Sequence, residues 1–487
     1  MDMDEIGDLE PQSVWRIFDD IRKIPRCSKH EERIRKYILS RAKNAGVDAE
    51  SDETGNVMIR IRGTEGCENA QTVILQGHMD MVCDKNKDKI HDFSKDPIKI
   101  KKKGDWITAD GTTLGADNGI GLAMAIAVAE DRSIKHGPIE CLMTVDEETG
   151  MTGAMGLDPD FVNGKRLINL DTEEFGSIYT GCAGGGSSEL KMDLSFEDFK
   201  GGRPIQMEIT GLRGGHSGTD INLGRGNAIK LLGRVLYHIS KSVDRINLVD
   251  LKGGSKHNAI PREADALMIL SSKDVERVKS LIHEEIESIK EEYKGVEPEV
   301  NVKIEKAETP ARVMTMASTR KTINLIQTLP HGVISMSSDV PGLVETSTNL
   351  AVFGLEKENI EVLMSTRSSV ETSLNAVRDR IHAIGDVFGA EVREKEAYPG
   401  WKPDPNSHLL RVAKGTFKKL FGHEANVAAI HAGLETGFIG KRFGNMDMIS
   451  IGPQIEHPHS PDERAQISSV AKTWEYLKAV LEILSRE

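Results

Sequence analysis

Short apolar segments alternate with helical ones between residues 57 and 170, and this alternation restricts the fold of the chain most strongly. The apolar runs cover 57–61, 73–75, 140–145 and 167–170, and apolar residues at helical spacing cover 120–129. Continuous apolar strands that alternate with helices are typical of α/β proteins whose sheet is buried on both faces. The sequence therefore predicts an α/β fold with a largely buried sheet.

The run at 73–75 leads directly to the segment Gln-Gly-His78-Met-Asp80. Residues i and i+2 of an extended chain lie on the same side, so His78 and Asp80 can contact each other or one shared partner. Two interpretations stay open at this point. His78 is either a half-exposed residue before a turn, or a metal ligand whose second ring nitrogen is held by a carboxylate.

Other acids and a histidine also lie next to apolar segments. Taken alone, Asp117 is equally consistent with a helix cap, and the acidic triplet that begins at Asp146 with a solvated turn. Taken together, the set has the composition that zinc, cobalt or manganese prefers, rather than calcium or a thiolate-bound ion. It consists of two histidines and three acids after strand-like runs, drawn from His78, Asp117, the acidic triplet 146–148, Asp171 and the segment 457–463, and one acid must remain free to act as a base.

Composition excludes several other classes of protein. A chain of 487 residues is expected to form two domains, and a net charge of -13 gives little support to binding of nucleic acid. The acidic start of the chain is not followed by an apolar segment, and no run approaches the length of a membrane span, which predicts a cytoplasmic protein without membrane contacts. The five cysteines are odd in number and widely spaced, which argues against a disulfide framework and a thiolate zinc site.

The order of segments predicts one domain that is interrupted by another. A glycine-rich segment at 181–186 has the composition of a hinge, because it matches no phosphate-binding pattern. The segment from 407 onward returns to helix, strand and helix. We therefore expect a catalytic domain formed by 1–186 and 398–487, with 187–397 as the inserted domain.

Five motifs along the chain resemble those of a known family. They are GHMD (77–80), GADNG (115–119), DEETG (146–150), NLDTEE (169–174) and HPHSPDE (457–463). Their residues and their order are similar to those of the dinuclear zinc exopeptidases and amidohydrolases, which include carboxypeptidase G-type enzymes, aminoacylase and the cytosolic dipeptidases. Within that family, the stretches IPRCSKHEE, GLRGGHSG, GGSKHNAIPREA and HAGLETG most closely resemble the branch of aminoacyl-histidine dipeptidases.

The resemblance implies a zinc-exopeptidase catalytic domain, with a central mixed sheet flanked by helices and interrupted by an inserted α+β lid domain. It implies two divalent metal ions, with zinc expected first and cobalt or manganese as alternatives. Asp117 would bridge the ions, His78 and Asp171 would complete one site, and Glu148 and His459 the other. Glu147 would be the general base that acts on metal-activated water, and Asp80 would orient His78.

The same resemblance extends to the inserted domain. His216 matches the family histidine that stabilises the oxyanion. Asn258 and Arg367 match residues that bind the scissile region and the terminal carboxylate of the substrate, although a surface position is the alternative for Arg367. Gly433 would allow the backbone to approach the substrate closely.

The function implied is a dipeptidase that hydrolyses unblocked dipeptides, preferentially Xaa-His and including β-Ala-His. Aspartate rather than glutamate at position 171 favours peptides over N-acyl amino acids. A tripeptidase or broader aminopeptidase is the alternative within the family, and a non-catalytic peptide- or metal-binding protein is the alternative outside it. The expected partner is a small peptide, and a homodimer formed through the inserted domain stays open as an alternative to a monomer.

Overall fold

The computed structural model describes residues 2–3, 6 and 8–487. In this part of the chain there are eleven α-helices, namely α1 (Gln12–Ile21), α2 (Glu32–Ala45), α3 (Ala116–Glu130), α4 (Thr152–Gly156), α5 (Ala228–Ser242), α6 (Val275–Glu292), α7 (Met316–Thr328), α8 (Glu371–Phe388), α9 (His408–Phe421), α10 (Glu435–Phe443) and α11 (Ile467–Leu484).

The strands of the described residues are, in chain order, β1 (Asp2–Met3), β2 (Asp48–Ser51), β3 (Val57–Ile61), β4 (Val73–His78), β5 (Ile100–Lys103), β6 (Trp106–Ala109), β7 (Ile139–Thr144), β8 (Arg166–Asn169), β9 (Ser177–Cys182), β10 (Gly184–Asp193), β11 (Phe196–Asp198), β12 (Arg203–Thr210), β13 (Gly215–His216), β14 (Ile246–Gly253), β15 (Ala259–Ile260), β16 (Ala264–Leu270), β17 (Asn301–Lys306), β18 (Arg312–Met314), β19 (Gly332–Met336), β20 (Val344–Glu356), β21 (Asn359–Ser368), β22 (Glu391–Glu394), β23 (Asn426–Ile430), β24 (Asp447–Ser450), β25 (Ile455–Glu456) and β26 (Arg464–Gln466).

These elements form two compact units. Unit 1 consists of Met1–Gly181, Pro403–Ala429 and Leu434–Glu487. Unit 2 consists of Cys182–Lys402 together with the short segment Ile430–Gly433. Each unit has its own hydrophobic core.

The main sheet of unit 1 has eight strands in the order β2-β3-β7-β4-β8-β24-β9-β23. The four central strands β7, β4, β8 and β24 are parallel, whereas β3 and β9 pair with their neighbours in the antiparallel sense. The carboxyl ends of parallel strands lie at one edge of a sheet, where binding sites of α/β proteins are commonly found. Polar residues that follow β4, β7, β8 and β24 are therefore brought together.

Helix α3 is the most deeply buried helix of unit 1. All its residues from Ala116 to Ala129 are buried, because none of them is a long charged side chain that needs a solvated face. Helix α1 packs in the same core through Val14, Ile17, Phe18 and Ile21, the apolar residues whose spacing predicted it. A second, five-stranded sheet of unit 1 has the order β1-β5-β6-β26-β25.

The predicted elements of unit 1 are present, with two informative differences at their ends. Strand β4 continues to His78, three residues beyond the apolar run. Its last residues include Gln76 and His78, which are polar but buried, so an apolar run alone does not mark the end of the strand. Helix α3 begins at Ala116, four residues before the predicted start, so that Asp117 lies in its first turn. Gln76 and His78 therefore belong to the strand itself, whereas Asp117 and Asn118 have non-helical backbone angles at a kink in the first turn of α3.

Unit 2 is built around an antiparallel sheet in the order β17-β12-β16-β14-β20-β21-β10-β22, with β19 also paired to β20. Helices α5, α6, α7 and α8 contribute to its core. A short separate ladder joins β13 to β15 and pairs His216 with Ala259. This combination of antiparallel sheet and helices is an α+β arrangement.

The glycine-rich segment predicted as a hinge lies instead in strands β9 and β10. Unit 1 ends at Gly181 and unit 2 begins at Cys182, within this segment. A Cβ atom at Gly184 would lie 2.5 Å from the backbone nitrogen of Gly400 and 2.6 Å from the carbonyl oxygen of Tyr398. Gly184 is therefore explained by close approach of two backbones, which composition alone does not distinguish from a flexible turn.

Among the helices of the described residues, none has both the length and the apolar composition that crossing a bilayer requires.

The cysteines correct one expectation. Cys27 and Cys83 form a disulfide across a sequence separation of 56 residues, whereas Cys67, Cys141 and Cys182 are buried free thiols. The bridge connects two segments that are already adjacent, since the amide of Met81 donates to the carbonyl oxygen of Arg26. The odd number of cysteines therefore did not exclude a single bridge.

We predict that loss of this bridge destabilises the protein by about 2–4 kcal/mol, because a cross-link reduces the conformational entropy of the unfolded chain. The free energy of unfolding in urea should fall by that amount when wild-type protein is reduced, or when Cys27 and Cys83 are both replaced by serine. The double variant is its own control, because a reductant should not destabilise it further. Unchanged stability of the reduced wild type would contradict the prediction.

Candidate metal centre

The acids and histidines of the five motifs meet at the carboxyl edge of the main sheet of unit 1. His78 is the last residue of β4, Glu147 and Glu148 follow β7, and Asp171 follows β8. The other two members reach the same place from different elements. Asp117 lies in the first turn of α3, and His459 lies in the connection from β25 to β26.

Asp117 lies between the two histidines and contacts both. Its Oδ1 atom is 3.0 Å from Nε2 of His78, and its Oδ2 atom is 3.1 Å from Nε2 of His459. His78 Nε2 is also 3.5 Å from Oδ1 of Asp171, and His459 Nε2 is 3.0 Å from Oε2 of Glu148. The two oxygens of one carboxylate thus face two separate groups, each of which contains a histidine and a second acid.

The donor set fits divalent metal ions. Imidazole nitrogens and carboxylate oxygens are the ligands that zinc and its neighbours in the periodic table take up. Oε1 of Glu148 is buried and accepts no hydrogen bond from the described residues, and Oδ1 of Asp171, also buried, has only the long 3.5 Å contact with His78. Buried carboxylate oxygens without partners are unfavourable unless a cation is bound, so these atoms indicate ligand positions. The ligand atoms of His78, Asp117 and Asp171 all lie within 4.8 Å of one another.

The contacts of the histidines change how they hold protons. Burial disfavours the charged ring of His78, but Asp171, Asp117 and Asp80 outweigh this effect and raise its pKa well above the usual value. Hydrogen bonds to Asp117 and Glu148 raise the pKa of His459 to about 11. Without metal, both rings therefore carry protons at neutral pH.

Glu147 differs from its neighbour Glu148 in its surroundings. Its carboxylate lies within 4.8 Å of ligand atoms of His78 and Glu148, yet it accepts no hydrogen bond from the described residues. Burial raises the pKa of Glu147 well above its usual value. A carboxylate that is near the ligands but has no donor of its own is suited to accept and return a proton.

Asp80 connects the end of β4 to the segment after β7. Its carboxylate lies 3.4 Å from Nδ1 of His78, and it accepts the backbone N–H groups of Glu147 at 3.0 Å and Glu148 at 3.2 Å. The hydroxyl of Ser28 donates to the same carboxylate at 2.7 Å. Asp80 therefore positions the backbone of the two glutamates as well as the histidine ring.

Two buried residues that the sequence analysis did not single out hold Asp117 in place. Glu463 accepts the backbone N–H groups of four consecutive residues, at 2.6, 2.9, 2.8 and 3.2 Å, which are Leu114, Gly115, Ala116 and Asp117. Arg26 donates to the carbonyl oxygens of Met79, Asp80 and Gly115. The only sequence signals were the presence of Glu463 in HPHSPDE and the position of Arg26 beside Cys27.

The sequence analysis also did not single out two further acids near the candidate ligands, Glu435 and Glu173. Glu435 is buried at the start of α10, where Oε2 accepts hydrogen bonds of 2.7 Å from both Gln76 and Thr144. Glu173 lies two residues after Asp171, and one of its carboxyl oxygens lies within 4.8 Å of ligand atoms of Asp117 and His459. Burial, followed by the charges of Asp117 and Asp171, raises the pKa of Glu173 to about 9.

In unit 2, the geometry of His216 defines its tautomer. Its Nδ1 atom accepts the backbone N–H groups of Gly218 at 3.3 Å and Thr219 at 3.1 Å. Burial and then the charge of Arg367 lower its pKa, so the ring is neutral and carries its proton on Nε2. His216 therefore presents an N–H donor away from its own loop.

The other predicted residues of unit 2 lie near this histidine. The amide of Ser217 donates to the carbonyl oxygen of Asn258 at 2.8 Å. Arg367 is buried, with one guanidinium nitrogen donating to the hydroxyl of Tyr398 at 2.8 Å and Nε without an acceptor among the described residues. A Cβ atom at Gly433 would lie only 2.9 Å from the ring of Tyr398. Packing against this ring is therefore a sufficient explanation for a glycine at this position.

Comparison with known proteins relates most of the chain to one family. Residues 74–483 match the model described as peptidase family M20/M25/M40. The chain is 42% identical to the cytosol non-specific dipeptidase of Escherichia coli, over 98% of this chain and 99% of that protein. It is also 42% identical to the aminoacylhistidine dipeptidase of Vibrio alginolyticus, whose crystal structure matches with a TM-score of 0.94 over 98% of both chains.

A more distant structure gives the fold alone. An aminopeptidase of Bacillus cereus is 17% identical and has a TM-score of 0.56 over 98% of this chain and 99% of its own. Together with the closer matches, it confirms the predicted α/β exopeptidase fold.

We predict that metal binding displaces protons from His78 and His459, since a ring nitrogen that carries a proton cannot bind a metal. Because both pKa values are raised, each ion must displace one proton from its histidine, and competition from protons should lower the affinity by roughly tenfold for each pH unit that the pH falls. Titration calorimetry of zinc in buffers of different ionisation enthalpy measures the protons released.

The control for this experiment is His423→Gln, which changes an exposed histidine and should bind and release as the wild type does. Zinc affinity that did not change between pH 8 and pH 6, with no proton release, would contradict the assignment of the two rings as ligands.

Proposed function

The chain belongs to peptidase family M20/M25/M40, and from this premise we propose that it is a metal-dependent dipeptidase that acts on unblocked dipeptides. We further propose a preference for Xaa-His peptides, including β-Ala-His. The observation that carries the proposal is the 42% identity, over 98% of the chain, to a protein named as a dipeptidase. The name of the similar Vibrio alginolyticus structure supports the preference for histidine.

We propose that the centre holds two divalent ions, zinc in the first place and cobalt or manganese as alternatives. His78 and Asp171 would hold one ion, Glu148 and His459 the other, and Asp117 both. When bound, the ions would polarise the scissile carbonyl and lower the pKa of a water molecule. The contacts of His78 and His459 with opposite oxygens of Asp117 support this assignment of ligands to two ions.

Glu147 is assigned the proton transfers. Its carboxylate takes a proton from the attacking water and later gives it to the amine that leaves. The raised pKa supports this role, because it makes the Glu147 carboxylate a stronger base than an ordinary glutamate. Asp80 acts through its contacts, since its carboxylate fixes the backbone of Glu147 and the ring of His78.

Residues of unit 2 are assigned to the substrate. The neutral ring of His216, with its proton on Nε2, suits a donor to the oxygen on which negative charge develops. The unpaired Nε of Arg367 suits a terminal carboxylate, and Asn258 is assigned to the scissile region. Gly433 is assigned to close approach of the substrate backbone.

The proposed setting is the cytoplasm, which the name of the Escherichia coli relative supports. The proposed partners are small peptides. A homodimer stays a prediction.

The proposal is tested by a panel of substrates assayed with metal-supplemented protein. We expect hydrolysis of β-Ala-His and Gly-His, slower hydrolysis of a tripeptide, and none of an N-acetyl amino acid. A strong chelator should abolish activity, and zinc, cobalt or manganese should restore it. A tripeptide as the best substrate would favour the tripeptidase alternative, and full activity of metal-free protein would overturn the mechanism.

We predict that the neighbours Glu147 and Glu148 fail in different ways. Glu147→Gln should keep both ions while kcat falls by roughly two to four orders of magnitude, because the base is lost and the shape is kept. Glu148→Gln should weaken one ion, and excess metal should restore part of its activity. Metal stoichiometry and kcat of both variants, with and without added metal, make the comparison. Loss of a metal from Glu147→Gln alone would reverse the two assignments.

A further inference from the structure

Glu173 is a carboxylate at the metal centre that the proposed mechanism does not use. One of its oxygens lies within 4.8 Å of ligand atoms of Asp117 and His459. Its position is fixed through the backbone, where its carbonyl oxygen accepts the amide of Ile455 at 2.8 Å. No side chain or amide of the described residues donates to its carboxylate, which is half-buried.

The ligand set does not need Glu173. Each of the two histidines already contacts Asp117 and one further acid, Asp171 for His78 and Glu148 for His459. Asp171 and Glu148 each have a buried carboxylate oxygen that accepts no short hydrogen bond, as expected for ligand positions. Glu173 is thus an additional acid beside these two pairs, and no group of the described residues donates a hydrogen bond to its carboxyl oxygens, although the ring of His459 is nearby.

Glu173 and Glu147 lie in different parts of the centre. Glu147 shares its group with His78 and Glu148, whereas Glu173 shares its group with Asp117 and His459. The side chain of His459 is 52% exposed, so the part that contains Glu173 is accessible to a ligand. Glu147 is assigned to protonate the amine that leaves, so the amine half of the substrate would lie on its side of the centre. The acyl half would then lie on the other side, beside Glu173.

The acyl half of an unblocked dipeptide carries an ammonium group close to the scissile carbonyl. A residue that recognises this ammonium must therefore lie beside the reacting atoms, and a carboxylate without donors is its chemical complement. An N-acyl amino acid has no ammonium group, so when it binds, the carboxylate stays without a positive partner beside the other acids of the centre. That difference is a source of specificity against blocked substrates.

We propose that the carboxylate of Glu173 binds the free ammonium group of the substrate's N-terminal residue and so selects unblocked peptides. The inference rests on the proposed dipeptidase function and adds a residue that determines its specificity.

The test compares Glu173→Gln with Glu174→Gln, a matched control that removes the same charge from the exposed neighbouring residue. The ligands are Gly-His and N-acetyl-histidine, which is Gly-His without its amino group. We measure kcat and KM for Gly-His, the inhibition constant of N-acetyl-histidine, and the metal stoichiometry of each protein. Thermal unfolding of the three proteins verifies that each is folded.

We expect Glu173→Gln to lower kcat/KM for Gly-His by about 10- to 100-fold, mainly through KM, because a hydrogen bond to a charged group is lost. The inhibition constant of N-acetyl-histidine should stay within about threefold, or improve, because that ligand has no ammonium group. Two ions should remain bound, and Glu174→Gln should match the wild type.

Three results would overturn the inference while leaving the dipeptidase function intact. They are an unchanged KM for Gly-His, equal weakening of both ligands, and loss of a metal ion from Glu173→Gln. Wild-type protein that is inactive on Gly-His would instead overturn the proposed function and this inference with it.

Discussion

The structure of unit 1 depends on one electrostatic constraint, which is that several carboxylates are buried together at the edge of its sheet. Like charges at such short separations repel strongly in a medium of low polarity. Positive groups beside them are the buried guanidinium of Arg26 and the rings of His78 and His459, which contact opposite oxygens of Asp117 at 3.0 and 3.1 Å. The rings hold protons that bound cations would replace, so folding of the metal-free chain and binding of metal use the same contacts.

The ligands are held by the backbone, and buried acids hold the backbone. Glu463 accepts four consecutive N–H groups that lead into α3, which fixes Asp117 without a direct contact to its side chain. Asp80 does the same for Glu147 and Glu148 from the end of β4. Such charge-assisted bonds are stronger than bonds between neutral groups, so the geometry is set before any ligand arrives. A change at Glu463 would alter the metal centre although this residue touches no metal.

The sequence predicted the parts of the site that follow local rules. Apolar runs end in polar motifs, and parallel strands bring those ends together, which gave the positions of His78 and Asp171. It did not predict partners that are distant along the chain, since periodicity contains no information about which segments meet. Glu463 contacts residues about 350 positions away, and Gln76 contacts Glu435 across 359 positions. The same reason explains the missed disulfide, because spacing along the chain does not show that two cysteines are neighbours.

The number of hydrogen bonds that each carboxylate accepts distinguishes the roles of the acids in this centre. Asp80 and Glu463 accept several backbone N–H groups, as expected for carboxylates that fix structure. Glu148 contacts a histidine through one oxygen and leaves the other buried without a partner, as expected for a ligand. Glu147 and Glu173 accept nothing from the described residues, although each lies within 4.8 Å of ligand atoms. Keeping such an acid beside other negative charges is unfavourable in the free enzyme, and the unfavourable energy is relieved when a proton or a cationic ligand arrives. The two acids without donors are therefore the ones to which we assign a change of state during the proposed reaction, Glu147 by gaining a proton and Glu173 by binding the substrate.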